Sequence, residues 1–288
     1  MEQKVVDLHV HSTESDGTLS PQELIYTAKK AGLSAIALTD HDTVSGIIKA
    51  TPIAQECGIE LIPGIELSTQ YRMPTQKGDT KEIHVVGLFI DPTNPLLLEK
   101  TKEFRECRDN RNVDMIAALQ REGLNITMES LTAENPDSVI TRGNIARYLY
   151  KHGQIKSVQE AFDKYIGDDC RCYVSRFKVT PMEAVELIKQ AGGIAILAHP
   201  LLYHLSSVSM QRLVDDLKAV GLDGIEAIYS TYSVRDEHLM KKFAADNGLL
   251  VSGGSDFHGS TKPTIQLGTG RGNLFIPYSI LEHMKNTR

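Results

Sequence analysis

Seven short apolar runs recur along the chain, and each has the length and composition of a buried β-strand. Between most of them, apolar residues are spaced three and four positions apart, as in amphipathic helices. Strands that alternate with helices in this way are typical of parallel β/α units. The sequence therefore predicts an α/β fold with strands at residues 4–10, 34–39, 60–64, 83–90, 194–198, 223–228 and 249–254.

One helix–strand unit occurs twice, with the same types of residue at the start and end of its elements. Each copy, at residues 20–41 and 180–199, begins with Ser-Pro or Thr-Pro and has a Glu three positions after the cap, a combination that starts helices. An Ala-Gly pair, a short apolar strand and a polar, ligand-type residue follow in both copies. Polar residues at the carboxyl ends of many strands favour a β/α barrel over an open sheet, which would place its site at one switch point.

The alternation of strands and helices stops between residues 93 and 173. Helical patterns occur there at 96–121, 142–152 and 158–166, and no strong strand pattern is present. We interpret this segment as a small helical domain inserted between two barrel strands, where such a cap commonly closes over a site. The predicted organisation is a first barrel part at 1–92, a helical cap at 93–173 and a second barrel part at 174–288.

Composition places the chain among ordinary globular proteins, with 41% hydrophobic and 24% charged residues in a length of 288. No run approaches the roughly 18 apolar residues of a membrane span, and the first residues lack the pattern of a signal peptide. The four cysteines form no disulfide framework, which favours a cytoplasmic location. Cys170 and Cys172 form a CxC pair that could bind zinc, but no second pair stands nearby.

The formal net charge of −6 argues against a broad basic surface for long nucleic acids. An anionic substrate would instead meet a local cluster of positive groups.

Residues able to bind metal lie at or near the ends of the predicted strands. His9 and His11 are two positions apart on the first strand, so their imidazoles point to the same face, and Asp16 follows in a turn-like run. Six of the ten histidines belong to this set, which packing alone does not explain. The full set of candidate ligands is His9, His11, Asp16, His41, Glu66, His84, His199, Asp256 and His258.

Nine imidazole and carboxylate groups are too many for one tetrahedral zinc ion. They suit a cluster of two or three divalent ions. Nitrogen and oxygen donors without thiolate favour Mn²⁺, Fe²⁺ or Zn²⁺.

Six motifs, in this order along the chain, resemble those of the PHP family, named for polymerase and histidinol phosphatase, in its nucleotide phosphoesterase branch. They are DLHVHSTESDG, TDHD, GIELS, IHVVGLFI, LAHP and GGSDFHG. Within the insertion, RECRDNRN, TRGNIARYL and EAFDKYIG resemble the helical cap of that branch. The resemblance implies a distorted seven-stranded β/α barrel with a trinuclear metal site.

The resemblance also implies how the ligands are shared. One ion would bind His9, His11, Glu66 and Asp256; a second would bind Asp16, His41 and His258; and a third would bind His84 and His199 with Glu66 bridging. Asp40 would orient its neighbours rather than bind metal.

Such a cluster suits hydrolysis of a phosphate ester by metal-activated water, without a Ser or Cys nucleophile. We expect Asp256 or His258 to assist proton transfer and His199 to help protonate the leaving oxygen. The sequence does not separate these roles from metal binding, because the same three residues are candidate ligands.

Candidate substrate-binding cations lie in the insertion. Arg105, Arg108 and Arg111 repeat every three residues on its long helix, where a solvated helix face is the alternative interpretation. Arg142 resembles the phosphate-contacting arginine of the branch. Many relatives have a His two residues after that arginine, where this chain has Asn144. The predicted substrate-binding residues are Arg108, Arg111, Arg142 and Asn144.

The resemblance implies a phosphatase acting on a nucleoside 3′,5′-bisphosphate or a nucleoside monophosphate. Three enzyme activities remain as alternatives: 5′-3′ trimming of short oligonucleotides, hydrolysis of histidinol phosphate, and an amidohydrolase-like reaction. Amidohydrolases usually bridge two metals with a carbamylated lysine, and no lysine stands at the comparable strand ends. A non-enzymatic metal-binding scaffold is disfavoured because none of the nine ligands is missing. The oligomeric state stays open.

Overall fold

The computed structural model describes residues 4–73, 80–136, 138–167, 170–174 and 179–287. All seven predicted strands are present in one sheet, ordered β1 to β7 along the chain. A backbone bridge between Val10 and Phe257 joins the region of β1 to the segment after β7, so the sheet is nearly closed into a barrel. The strands are β1 (Val6–Val10), β2 (Ala35–Leu38), β3 (Glu60–Arg72), β4 (Thr80–Leu88), β5 (Ile194–Leu197), β6 (Gly224–Tyr229) and β7 (Leu250–Gly254).

Strand β4 departs from the expected parallel arrangement. It runs antiparallel to both β3 and β5, whereas the other four neighbouring pairs are parallel. The connection from β3 to β4 covers only residues 73–79, and a parallel crossover takes a dozen or more residues. Because β4 is reversed, its first half, and not its carboxyl end, lies at the edge of the barrel where the parallel strands end.

Helices cover the barrel, and two of them begin with the predicted capping boxes. The hydroxyl of Ser20 accepts a hydrogen bond from the backbone N–H of Glu23, and Thr180 and Glu183 repeat the contact. Each box satisfies N–H groups that the first helical turn leaves without partners. The helices of the barrel parts are α1 (Pro21–Lys30), α2 (Ser45–Cys57), α7 (Pro181–Gln190), α8 (Ser207–Lys218), α9 (Val234–Asp246) and α10 (Tyr278–Thr287).

The insertion is helical in the described part of residues 93–173. It contains α3 (Pro95–Arg121), α4 (Met128–Glu134), α5 (Arg142–Lys151) and α6 (Val158–Ala161), followed by a π-helical turn at Phe162–Ile166. Its apolar side chains, such as Met115, Leu119, Ile145 and Leu149, form a hydrophobic cluster separate from those of the barrel. The exact domain boundaries at 92/93 and 173/174 remain a prediction.

All four cysteines are free thiols. Among the described residues, no helix combines the length and apolarity required to cross a bilayer.

Candidate metal centre

All nine candidate ligands converge at one edge of the barrel. Six of them follow the carboxyl ends of parallel strands: His11 and Asp16 after β1, His41 after β2, His199 after β5, and Asp256 and His258 after β7. His9 lies within β1 and Glu66 within β3. His84 lies within the reversed β4, opposite Ser68, and its carboxylate neighbour Glu66 is two residues from Ser68 on the same strand. We refer to these nine residues as the candidate metal centre.

Glu66 is the hub of this centre. Its oxygen Oε2 lies 3.2–3.3 Å from nitrogens of His9, His11 and His41. Its other oxygen, Oε1, lies 2.8 Å from Nδ1 of His84 and 3.1 Å from Nε2 of His199. A carboxylate that faces five imidazoles through two oxygens has the geometry of a bridging ligand.

Asp16 collects a second group of imidazoles. Its Oδ1 lies 3.1 Å from Nε2 of His258, and its Oδ2 lies 3.9 Å from Nε2 of His41. The hydroxyl of Thr141, at the start of α5, donates a hydrogen bond to Oδ2 at 2.7 Å. Asp16 therefore contacts both the barrel histidines and the insertion.

Asp256 divides its two oxygens between different partners. Oδ1 lies 3.4 Å from Nε2 of His11 and 3.3 Å from Nδ1 of His258. Oδ2 accepts hydrogen bonds from the hydroxyl of Tyr229 and the ammonium of Lys262, both at 2.6 Å. These two donors fix the carboxylate so that its free edge faces the histidines.

The donor set fits divalent cations. Nε2 of His9 and Nε2 of His11 lie only 3.1 Å apart in a buried position, and Nδ1 of His199 is buried without a hydrogen-bond partner among the described residues. Convergent nitrogens and carboxylates of this kind call for a proton or a metal ion between them. Three groups have ligand atoms within 4.8 Å of one another: His11, Asp16, His41 and His258; His9, His11 and Asp256; and His41, Glu66 and His84.

The charges of these groups depend on one another. Burial by itself would raise the pKa of Glu66, but the imidazoles of His41, His9 and His84 hold it well below its usual range. Burial would lower the pKa of His9, but the carboxylates of Glu66 and Glu226 raise it well above its usual range. For His41 burial outweighs its carboxylate neighbours and lowers the pKa to about 3. Glu66 is therefore ionised at neutral pH and attracts cations.

Glu226 also lies at the candidate metal centre, although no sequence motif predicted it. One of its oxygens lies 3.1 Å from Nδ1 of His9, and the other accepts a hydrogen bond from the backbone N–H of His199 at 2.8 Å. When His9 donates from Nδ1, its Nε2 presents a lone pair to the centre, which is how carboxylates orient metal-binding histidines. In the sequence, Glu226 can be recognised as a single acidic residue within the apolar strand GIEAIY.

Asp7 is a second buried acid that no sequence motif predicted. It is fully buried in β1, and its carboxylate accepts hydrogen bonds from the backbone N–H groups of Ser255 and Gly268, each at 2.8 Å. These bonds tie the segment that carries Asp256 to the first strand. Like Glu226, it is a lone acid among apolar strand residues.

The predicted substrate-binding residues occupy different positions. The guanidinium of Arg108 is buried and forms an ion pair with Asp42. Arg142 donates from Nη2 to Glu82 at 2.8 Å. Arg111 is also buried, and its charge is among those that hold the pKa of Glu82 well below its usual range, after the opposing effect of burial and the larger effect of Arg142.

Asn144 takes part in the cap of α5. Its side-chain oxygen accepts from the backbone N–H of Thr141 at 2.8 Å, and its amide donates to Asn135 and to the carbonyl of Ser15. These bonds use both ends of the amide, so its surroundings are those of a structural residue.

A cleft of about 980 Å³ opens above the centre, between the barrel loops and the insertion. Arg108 and Arg142 line it, whereas Arg111 and Asn144 do not belong to the described lining. Its lining also includes Tyr150, Val158 and Phe162. The volume of the cleft is that of a pocket for a whole small ligand. The arrangement combines a floor of candidate metal ligands with basic and apolar walls.

Comparisons with known proteins agree with this geometry. The model of the PHP domain matches residues 7–168. A 5′-3′ exoribonuclease of Haemophilus influenzae is 37% identical over 88% of this chain and 90% of its own length. A 3′,5′-nucleoside bisphosphate phosphatase of Chromobacterium violaceum is 36% identical over 88% and 87%.

Solved structures show the same similarity. A protein of Bifidobacterium adolescentis, described as a candidate metal-dependent phosphoesterase, superposes with a TM-score of 0.83 at 28% identity, over 98% of this chain and 95% of that one. The family model covers more than half of the chain, and the curated relatives are similar over nearly their whole length. The chain therefore belongs to the PHP domain family of metal-dependent phosphoesterases.

Proposed function

We propose that this protein removes a phosphate group from a small nucleotide, either a nucleoside 3′,5′-bisphosphate or a nucleoside monophosphate. The observation that carries the proposal is Glu66, a buried carboxylate facing five imidazoles at the floor of the cleft. Its surroundings suit a cluster of divalent ions, and phosphate esters are substrates that such clusters hydrolyse.

The nine residues would hold two or three divalent ions, of Mn²⁺, Fe²⁺ or Zn²⁺. One set would be His9, His11, Glu66 and Asp256; the second Asp16, His41 and His258; the third His84 and His199 with Glu66 shared. The close grouping of ligand atoms supports the first two sets, with His11 also near the second. Bound ions supply Lewis acidity, which activates water and neutralises phosphoryl oxygens.

The protein's own residues would position the reacting groups and move protons. Asp256 is fixed through Oδ2 by Tyr229 and Lys262, so Oδ1, the oxygen that faces the histidines, would accept a proton from the attacking water. Nδ1 of His258 lies 3.3 Å from that oxygen and 2.9 Å from the backbone carbonyl of Asp256, so His258 would hold a proton beside the carboxylate. His199 borders the cleft and would protonate the leaving oxygen.

The walls of the cleft support a nucleotide as substrate. Arg142 offers a cation at the mouth of the insertion, and the apolar and aromatic residues Tyr150, Val158 and Phe162 offer a surface for a base. The relatives named above as a nucleoside bisphosphate phosphatase and an exoribonuclease support the same substrate class. Trimming of short oligonucleotides from the 5′ end is accordingly the second candidate, favoured by the exoribonuclease relative.

A phosphate-release assay tests the proposal. The metal-loaded protein should release phosphate from 3′-phosphoadenosine 5′-phosphate or AMP, with histidinol phosphate and a 5′-phosphorylated oligonucleotide assayed in parallel. Failure to release phosphate from either nucleotide, together with failure to shorten the oligonucleotide, would contradict it. Hydrolysis of an amide or lactone alone would favour the amidohydrolase alternative, a class that usually bridges its two metals with a modified lysine.

A paired substitution tests the metal centre. His9→Ala with His11→Ala should abolish metal-dependent activity, because it removes two adjacent donors. His238→Ala changes an exposed histidine of α9 and should leave the activity unchanged. Full activity in the double variant would refute the metal-enzyme account.

The cytoplasmic location inferred from the cysteines is part of this proposal. It agrees with the four free thiols.

A further inference from the structure

We infer that the first turn of α5 positions two ligands of the candidate metal centre from the insertion. Thr141 acts on Asp16, and Arg142 acts through Glu82 on His84. Neither Thr141 nor Glu82 is among the nine proposed ligands, and we assign them as positioning residues. The inference rests on the proposed function, because it takes Asp16 and His84 to bind metal.

The first link joins Thr141 to Asp16. The Thr141 hydroxyl donates to Oδ2 of Asp16 at 2.7 Å, and it accepts from the backbone N–H of Gly143 at 3.0 Å. All three residues are buried. The same oxygen therefore caps the helix and fixes the rotamer of the carboxylate. A Cβ atom at position 143 would lie 2.7 Å from Oδ2 of Asp16, so glycine is required for this close approach.

The backbone around Asp16 is held by the same part of the insertion. The amide of Asn144 donates to the carbonyl of Ser15 at 3.2 Å, and Arg147 donates from Nη1 to the carbonyl of Asp16 at 3.0 Å. Just before the helix, the N–H of Val139 donates to the carbonyl of Glu14 at 2.9 Å. The loop that presents Asp16 thus depends on the insertion for both its side chain and its main chain.

The second link joins Arg142 to His84 through Glu82. Oε2 of Glu82 accepts from Nη2 of Arg142 at 2.8 Å, and Oε1 lies 3.1 Å from Nε2 of His84. The other ring nitrogen of His84, Nδ1, lies 2.8 Å from Glu66. When Nε2 donates its proton to Glu82, Nδ1 presents a lone pair to the centre. The guanidinium restrains Glu82 in the position that sets this tautomer.

The two links reach different ligands of the centre, and His41 lies near both of these ligands. Asp16 faces His258 and His41, whereas His84 faces Glu66 on the side of His199. In the proposed assignment these are ligands of two different ions. One helical turn therefore controls two ion sites, and separate variants can weaken each of them.

Calorimetric titration of chelator-treated protein with Mn²⁺ tests the inference without measuring activity. Thr141→Val and Glu82→Gln should each weaken one binding step by about 10- to 100-fold, the usual effect of removing an orienting partner. Thr141→Ser keeps the hydroxyl, so its affinity for Mn²⁺ should be within about twofold of that of the wild type. This variant and Glu82→Gln keep the inference testable if Thr141→Val does not fold.

Thr127→Val is the matched control. Thr127 starts α4 of the same insertion with a capping box, and its hydroxyl bonds within the first turn of that helix, to Ser130 and Glu129. This variant should bind Mn²⁺ like the wild type. If it weakens binding equally, or if Thr141→Val and Glu82→Gln both bind like the wild type, the inference is wrong. If the wild type itself binds no Mn²⁺, the proposed function fails instead.

Discussion

At the scale of single residues, His9 shows how the buried carboxylates of the centre are paired with imidazoles. It lies between two carboxylates, Glu66 at 3.3 Å from its Nε2 and Glu226 at 3.1 Å from its Nδ1. A buried carboxylate without a partner costs several kcal/mol, so each acid here requires an imidazolium or a metal ion. Glu226 keeps its place beside Nδ1 when a metal ion replaces the proton on Nε2.

Glu226→Gln should lower Mn²⁺ affinity and phosphatase activity by about 10- to 100-fold, because the amide accepts the hydrogen bond of His9 more weakly than a carboxylate. Titration calorimetry and initial rates measure the two effects. Glu237→Gln, in an exposed ion pair with Lys241 on α9, serves as the control and should change neither. Unchanged metal affinity in Glu226→Gln would contradict the orienting role.

Asn144→Ala separates a structural role from substrate binding. The variant loses bonds to Thr141, Asn135 and Ser15 in a buried position, so the free energy of unfolding should fall by about 2 kcal/mol. The KM for a nucleotide should rise less than in Arg142→Ala, which removes the cation in the cleft wall. Urea unfolding and steady-state kinetics distinguish the two effects. A large rise in KM at unchanged stability in Asn144→Ala would instead support the predicted contact between Asn144 and the substrate.

At the scale of elements, the seam between β1 and β7 decides whether the centre assembles. The backbone N–H of Asp256 donates to the carbonyl of His9 at 2.9 Å, and that of His11 donates to Phe257 at 3.0 Å. These bonds bring ligands from the two ends of the chain together. Gly254, the last residue of β7, allows the contact because it has no side chain.

Gly254→Ala should destabilise the protein by about 3 kcal/mol and weaken metal binding, because the new Cβ would lie 2.7 Å from the backbone nitrogen of His9. Gly248→Ala, just before β7, meets open space but has φ at +65°, so strain alone should cost about 1 kcal/mol. Thermal unfolding and Mn²⁺ titration compare them. Equal losses of stability with intact metal binding in both would contradict the steric account.

At the scale of the whole molecule, the insertion and the barrel together form the cleft and its charge pattern. The chain as a whole carries a net charge of −6, yet Arg108 and Arg142 stand on the wall above the acidic floor. Both arginines are paired, with Asp42 and Glu82 respectively. The local field that a phosphate meets therefore depends on bound metal ions as well as on arginines.

Without bound metal, the stability of the protein should fall as the pH rises from 6.5 to 9. Burial opposes the protonation of His11 and His84, but neighbouring carboxylates, Glu66 among them, raise both pKa values to about 9 in the metal-free protein, above the ordinary 6.5. Their contribution to stability is complete below pH 6.5 and is lost as the pH rises through 9. Metal binding requires neutral imidazoles and strengthens over the same interval.

Scanning calorimetry in chelator should show a melting temperature that falls between pH 6.5 and pH 9. With Mn²⁺ in excess the fall should be smaller or reversed. A chelated protein whose melting temperature stays constant over this interval would contradict the charge arrangement at the centre.

The sequence by itself determined the seven strands, the capped helices of the barrel, and the family, because apolar periodicity, capping residues and short motifs are local features. It also determined which histidines and carboxylates stand near strand ends. It left unresolved how Glu226 and Asp7 are used, since a lone acid in an apolar strand has no partner in its own neighbourhood.

Only the tertiary structure decided the direction of β4 and the partners of the charged side chains. The connection between β3 and β4 is too short for a parallel crossover, so β4 runs antiparallel to β3 and His84 reaches the centre from the first half of β4. Asp42 and Glu82 bind the guanidinium groups of Arg108 and Arg142 across sequence distances of about 60 residues. Such contacts exist only after the barrel closes and the insertion packs on it, because electrostatic partners are chosen by proximity in space.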